Sequence, residues 1–258
     1  MVKAKKHLGQ HFLKDDSISQ KIVQLLSDHG GYKQVLEIGP GTGALTQFLV
    51  KTNYNLHLLD IDQESIDFLK IEYPFLLNSI YKSDFINDPL PEKITSPFAI
   101  IGNFPYNISS QIMFKVIDLK EEVSEIVGMF QKEVAERLVA PPGSKTYGIL
   151  SVLLQAWYDG EYLFTVDEDV FDPPPKVKSG VIRFRRNERS SLGVSERLFK
   201  MTVKLAFNQR RKTLRNSLKS MINEKGIDAS GELFNKRPEQ LSVEEFIEIS
   251  LLFEAANS

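Results

Sequence analysis

Nine residues limit what this chain can fold into more than any others. Val35-Leu36-Glu37-Ile38-Gly39-Pro40-Gly41-Thr42-Gly43 carries an apolar stretch straight into a turn with three glycines. Glycine there lets the backbone take φ > 0 and lets a ligand come close to the main chain. Gln34–Ile38 reads as a buried strand and a helix is expected from about Ala44, a strand–turn–helix unit. The alternation then continues. Strands are expected at Asn55–Asp60, Ser79–Ser83, Phe98–Gly102 and Glu125–Phe130, and helices at Gln63–Glu72, Ser109–Leu119, Lys132–Val139 and Tyr147–Tyr158. That rhythm predicts an α/β, doubly wound, mostly parallel sheet covered on both faces.

Upstream, Asp15-Asp16-Ser17 before Ile18, Ile22, Leu25 and Leu26 predicts a capped helix that ends at Gly30-Gly31. Downstream, Tyr162–Phe171 and Gly180–Arg185 read as an antiparallel edge pair joined by the stiff Pro173-Pro174-Pro175 segment. The period changes after Asn187. Helices are expected at Ser195–Gln209, Lys212–Ile222 and Ser242–Ala256, the last opened by a Ser242/Glu245 capping box and a Leu241/Phe246 staple. Two domains follow: residues 1–190 as the α/β domain with a basic N-terminal arm, and residues 191–258 as a small all-α domain. A chain of 258 residues can bury a large core without staples. With no cysteine there is no disulfide framework, thiolate metal site or cysteine nucleophile. No apolar run approaches a membrane span, and the N-terminus lacks a secretory apolar region, so the expected setting is cytoplasmic.

The glycine turn alone does not separate a nicotinamide dinucleotide from S-adenosylmethionine, because Gly39, Gly41 and Ala44 also meet the looser dinucleotide spacing. Glu37, and the acidic set of Glu37, Asp60 and Asp84 that suits a cationic sulfonium, favour the second, although a ribose acceptor at Asp60 would serve either cofactor. Glu37 stands beside the turn, where a ligand ammonium is welcome and a pyrophosphate is not. Asp60 ends the second strand, 21 residues after Gly39, where it can accept both ribose hydroxyls. Asp84 follows the third strand, at the sheet end where α/β proteins bind ligands, and could accept an adenine amino group.

Asn103-Phe104-Pro105-Tyr106 closes the fourth strand. An adenine N6 lone pair is delocalised into the ring, so methylating it calls for two acceptors that draw the nitrogen toward sp³. The Asn103 side-chain oxygen and the Phe104 carbonyl can be that pair. Pro105 keeps Phe104 out of helical conformation, and Tyr106 offers a ring on which a flipped base can stack. Transfer is then an in-line displacement helped by proximity and orientation, with no metal required. His7 and His11 lie four apart but lack companion ligands, so no metal site is expected.

The formal charge of −2 hides an uneven distribution. Residues 1–14 carry +4 and residues 173–219 carry +12, which leaves −18 for the rest. Two basic runs almost free of acids suggest a polyanion partner. Candidate phosphate contacts are Lys3, Lys5 and Lys6 in a mobile arm, and Arg210, Arg211, Lys212 and Arg215.

Several segments together resemble the ribosomal RNA small-subunit adenine dimethyltransferases, the kasugamycin-sensitivity methyltransferases. They are Lys6-His7-Leu8-Gly9-Gln10-His11-Phe12-Leu13, Leu36–Gly43, Gly102–Ser109 and Phe130-Gln131-Lys132-Glu133, then Pro142–Lys145, Phe171–Val177 and Ala206–Asn216, in family order over most of the chain. The resemblance implies a class I S-adenosylmethionine methyltransferase domain with a seven-stranded sheet and a small helical C-terminal domain. It implies N6,N6-dimethylation of two adjacent adenosines in the 3′-terminal hairpin loop of small-subunit (16S) rRNA, within an immature ribosomal subunit. No obligate protein partner is evident in the sequence itself, which leaves the oligomeric state, monomer included, open. It further implies that His11 and Leu13 cover the cofactor and that Gly39, with Gly41 in the same turn, meets its methionine part. Asp60 would hold the ribose and Asp84 the adenine. Asn103 would bridge cofactor and base, and Tyr106 and Phe171 would be the aromatic walls. The chain departs from many relatives in having His11 for Asn, Asp60 for Glu and Phe104 for Leu; none of these removes a group the chemistry needs.

Two alternatives remain at this level: a large-subunit rRNA adenine dimethyltransferase with the same cofactor logic, and a non-catalytic RNA-binding assembly factor on the same fold. If about six phosphates are neutralised, log affinity for single-stranded rRNA should fall with log salt at a slope near −4. Arg211→Ala or Lys212→Ala should make that slope shallower in filter-binding titrations; an unchanged slope removes those residues from the interface.

Overall fold

The computed structural model describes residues 2–256. Seven strands build one sheet: β1 (Gln34–Ile38), β2 (Asn55–Asp60), β3 (Ile80–Lys82), β4 (Phe98–Asn103), β5 (Val123–Gln131), β6 (Tyr158–Val166) and β7 (Ser179–Arg186). Their order is β3-β2-β1-β4-β5-β7-β6. The pairs β2–β3, β1–β2, β1–β4 and β4–β5 are parallel, and β7 runs antiparallel to β5. The central strands are apolar because both faces are covered: Phe98, Ala99, Ile100 and Ile101 are all fully buried. This is the doubly wound architecture expected from the alternating pattern.

The contacts divide the chain into two compact units. The first is the chain up to Glu136 together with Asp159–Arg186; the second is Arg137–Tyr158 together with the chain from Asn187 onward. A split near residue 190 would leave 137–158 in the α/β part. The stretch joins the helical part because helix Ile149–Gln155 packs against helices Glu196–Asn208 and Val243–Ala255. The Tyr147 ring also meets Phe207 edge-on, with centroids 6.2 Å apart. A short helix buried nearly all round does not reveal in its own sequence which layer it will cover.

Other boundaries moved for physical reasons. The first helix covers Asp16–Val23, capped by the Asp15 side chain, and stops well before Gly30-Gly31. Beyond it, the buried Glu125 of β5 accepts the Ser27 N–H (2.9 Å), the Ser27 hydroxyl (2.7 Å) and the Tyr32 hydroxyl (2.7 Å). Those long-range bonds take the chain out of the helical path. The helix expected from Ala44 is short, Thr46–Leu49. The stretch expected at Lys212–Ile222 divides into Leu214–Ser217 and Lys219–Lys225. The Ser242/Glu245 capping box forms as expected. The proline-linked strands β6 and β7 are sheet neighbours. Phe171–Asp172, however, leaves that sheet and pairs antiparallel with Phe12–Leu13.

One packing detail sets up the chemistry. Gly102 of β4 and Gly128 of β5 lie opposite each other in register. Their missing side chains leave a trough that the Phe104 ring fills, with only 1% of the residue exposed. A Cβ on Gly128 would sit 2.2 Å from that ring, and one on Gly102 would sit 2.7 Å from the Ile38 carbonyl oxygen. Phe104 is therefore anchored under the strand end, and the main chain on either side of it is held in place. Gly128→Ala should lower stability by about 3 kcal/mol, the upper range for overpacking a core. Gly231→Ala, where nothing lies within 4 Å, should change it little. Urea midpoints for the two variants check this; equal midpoints would show that Phe104 can move aside freely.

Candidate functional site

The strand order reverses between β1 and β4, and ligands of open α/β sheets bind at such a reversal, beyond the carboxyl ends of the strands. Those ends are stitched together here. The Gly39 N–H donates to the Leu59 carbonyl (2.9 Å), the Ser83 N–H to the Asp60 carbonyl (3.0 Å) and the Phe104 N–H to the Met129 carbonyl (3.2 Å). Gly39, Gly41 and Gly43 take φ of 66°, 56° and 81°, values that L side chains rarely adopt. A cavity opens above these ends. Of the residues singled out in the sequence, it is lined by His11, Gly39, Gly41, Asp60, Asp84, Asn103 and Tyr106.

Each of these is held by identifiable bonds. Asp60 accepts from the Gly41 N–H (3.1 Å) and the Asp62 N–H (2.9 Å), and burial pushes its carboxyl pKa up against those two donors. Asp84 accepts from the Ile86 N–H (2.9 Å) and the Asn87 amide (2.7 Å), which shapes its own loop. The Asn103 amide nitrogen donates to the His11 carbonyl at 2.9 Å. Because that acceptor is a carbonyl, the amide orientation is decided, and Oδ1 is left for a ligand. The Tyr106 hydroxyl shares a hydrogen bond with Ser179 (2.6 Å), and its ring stacks on His11 with centroids 5.3 Å apart.

Three sequence-selected residues lie outside the cavity lining. Glu37 sits beneath the glycine turn, fully buried, and accepts the Thr46 hydroxyl at 2.6 Å. Desolvation raises its pKa to about 8, the Thr46 bond opposing and Asp60 adding to the rise. Leu13 and Phe171 pair through their strands and belong to the core cluster. Phe171 is thus a core residue here and not a wall of the cavity. In the other direction, the structure adds Gln10, Ile61, Asn87, Asn107 and Gln111 to the lining. Ile61, 52% exposed directly after a strand-end acid, has a signal that sequence reading could use. The polar four carry none beyond adjacency to the motifs.

The basic residues are less uniform than their run suggests. Lys5 does not wave free: its ammonium bonds Asp62 (2.5 Å) and Glu64 (3.1 Å). Arg183 and Arg185 both pair with Glu161, Arg189 with Glu244 (2.8 Å) and Lys178 with Asp167 (2.7 Å). In the second unit Arg210 donates to the Lys145 carbonyl and Arg215 to the Ala229 carbonyl (3.0 Å). Lys3, Lys6, Arg211 and Lys212 are exposed.

The donor set fits S-adenosylmethionine. Backbone at positive φ allows close approach, Asp60 can accept a ribose diol, and Ile61 and Phe85 offer apolar surface to a purine. The carboxylates Asp60 and Asp84 line the cavity, a field that suits a sulfonium cation and opposes a pyrophosphate; Glu37, buried below the turn with its pKa raised to about 8, adds no charge to it at neutral pH.

The chain matches the family described as ribosomal RNA adenine dimethylase over residues 1–255. It is 59% identical over 250 residues to a protein from Cytophaga hutchinsonii named ribosomal RNA small subunit methyltransferase A, covering 96% of both chains. Among solved structures, a dimethyladenosine transferase from Plasmodium falciparum superposes with a TM-score of 0.78 at 26% identity, covering 96% of this chain and 98% of that one. A 23S rRNA methyltransferase superposes with a TM-score of 0.65 at 25% identity, covering 92% and 98%.

The buried carboxylates have a measurable consequence. Glu37 releases its proton near pH 8 in the folded protein and near 4.5 ordinarily. Between those values the folded state holds the extra proton, so stability falls as pH rises through the window. Asp60, its pKa also raised, acts in the same sense. Glu37→Gln keeps an acceptor for Thr46 and should flatten the decline between about pH 5 and 8 in urea titrations of the cofactor-free protein. A slope equal to that of the wild type would show that Glu37 is not the group responsible.

Proposed function

The chain belongs to the ribosomal RNA adenine dimethylase family, and from that premise we propose that it is an S-adenosylmethionine-dependent methyltransferase that dimethylates N6 of two adjacent adenosines near the 3′ end of small-subunit rRNA. The observation that carries the reading at the level of atoms is the Asn103 amide, whose nitrogen is tied to the His11 carbonyl so that its oxygen is free to accept. An N–H of the target amine donates to that oxygen and the second to the Phe104 carbonyl. The two acceptors localise the lone pair on nitrogen along the direction of attack. Preorganised acceptors of this kind cost nothing to reorient during the reaction.

When bound, S-adenosylmethionine supplies an electrophilic methyl group on a cationic sulfonium. The residues proposed to hold it are Gly39 and Gly41 for the methionine part, Asp60 for the ribose and Asp84 for the adenine, with the main chain at His11 covering it on the N-terminal side. Leu13 and Glu37 support this set from behind, Leu13 through the core and Glu37 beneath the turn. Tyr106 is the stacking surface for the base, its phenol held by Ser179. Phe171 contributes by fixing the neighbouring strand pair.

For RNA, the exposed Arg211 and Lys212, with Lys3 and Lys6, are the proposed phosphate contacts. Lys5, Arg210 and Arg215 are engaged within the protein and would act by holding the segments that carry the others. The helical unit is accordingly proposed as the RNA-binding part. No helix among the described residues is long and apolar enough to cross a membrane. The much greater identity to a small-subunit enzyme than to a 23S enzyme favours the small subunit over the large one.

Transfer of labelled methyl groups from S-adenosylmethionine to immature small subunits, followed by mapping of the modified nucleotides, tests the reading. The expected product is dimethyladenosine at two neighbouring positions near the 3′ end; modification of large-subunit rRNA instead would overturn it. Asn103→Ala should lower turnover by at least about 10²-fold, the scale for losing one preorganised hydrogen-bonding group, with rRNA affinity within about threefold.

A further inference from the structure

His11 makes more contacts at the reaction centre than covering a cofactor calls for. Its Nδ1 lies 2.7 Å from the Pro173 carbonyl oxygen. A carbonyl can only accept, so Nδ1 carries the proton and donates. Its ring stacks on Tyr106, with centroids 5.3 Å apart and planes 28° apart. Its own carbonyl accepts from the Asn103 amide nitrogen at 2.9 Å. The strand pairing sets this up: Phe12 is in register with Asp172, which brings the residue before Phe12 beside the residue after Asp172.

The bond to Asn103 matters because a side-chain amide has two ends of opposite character. Rotated half a turn about its last torsion, Asn103 would present N–H to the N–H of the target base, a repulsive arrangement. The carbonyl of residue 11 holds the nitrogen end, and that carbonyl is steady because the imidazole is tethered to Pro173 and backed by Tyr106. We propose that His11 is a positioning residue for methyl transfer: through its tether to Pro173 it fixes the main chain that orients the Asn103 acceptor. The proposal rests on the adenine-N6 reading given above and adds a residue that acts through Asn103 without touching the base amine.

Three variants of the full chain separate the tether from other roles of the side chain. His11→Ala removes ring and donor, His11→Phe keeps a ring without a donor, and His11→Asn keeps a donor that overlays on Nδ1. With S-adenosylmethionine and immature small subunits, His11→Ala and His11→Phe should lose about 10- to 100-fold in kcat, as expected for misplacing a reacting group. KM for S-adenosylmethionine should change less than threefold, and His11→Asn should stay within about threefold of the wild type in kcat. Thermal melts identify any variant that has lost the fold, and His11→Asn, the mildest change, keeps the comparison open if the others have. A wild-type kcat in His11→Ala or in His11→Phe overturns the proposal.

A second readout needs neither cofactor nor RNA. The Asn103 side-chain amide pair, assigned in ¹⁵N spectra by its loss in Asn103→Ala, should show hydrogen-bonded shifts in the wild type and in His11→Asn. It should broaden or move toward free-amide values in His11→Ala. An unchanged Asn103 signal in His11→Ala overturns the proposal. If the signal responds as expected and the wild type transfers no methyl group to small-subunit rRNA, the tether stands and the functional reading falls.

Discussion

The parallel pairing of β1 with β4 puts two turns side by side, and everything proposed for the site follows from that. Glu37 lies opposite Ile101 in register, so both strands end at the same level of the sheet. The glycine turn leaves one end and Asn103-Phe104-Pro105-Tyr106 leaves the other. They come so close that a Cβ on Gly39 would lie 3.7 Å from the Pro105 ring. In the proposed reading, a cofactor held by the first turn meets a base held by the second, and effective concentration would supply a large part of the rate. The pairing is secured by strands whose apolar side chains are buried on both faces.

Around that pair, the N-terminal segment serves as the third wall. Leu8, Gly9, Gln10, His11 and Phe12 all reach the cavity. The segment is held at one end by Lys5 on Asp62 and Glu64 and at the other by the Phe12–Leu13 pairing. Asp62 also caps the helix that starts at Gln63, and the neighbouring Asp60 lies in the cavity. The same short acidic loop thus organises a helix, a strap and part of the cavity wall. Its charges are not surplus surface acids.

The charge arithmetic of the sequence has a mixed outcome. The basic run at residues 173–219 includes arginines that neutralise Glu161 within the sheet and Glu244 within the helical unit. These ion pairs are partly buried and take those cations out of the pool available to an RNA. Arg211 and Lys212 remain exposed at the end of a helix whose buried face, Phe199, Thr202, Val203 and Ala206, is turned inward. A count of charges along a sequence cannot make this distinction, because pairing depends on residues tens of positions away.

The sequence by itself determined the layers and the chemistry that could occur at their edge. Strand β1, strand β2 and the helix Gln63–Glu72 appear with the expected bounds, because period and glycine placement are local properties. The motif residues Gly39, Asp60, Asp84, Asn103 and Tyr106 converge on one cavity, because strand ends in a parallel sheet share one side. Tertiary structure alone decided the rest. It sent Phe171 into the core, gave residues 137–158 to the helical unit, ended the first helix early through Glu125, and turned Lys5 and His11 into anchors. Each of these depends on a partner far away in the chain. Hydrogen bonds and packing across such distances leave no periodic trace in the residues that make them.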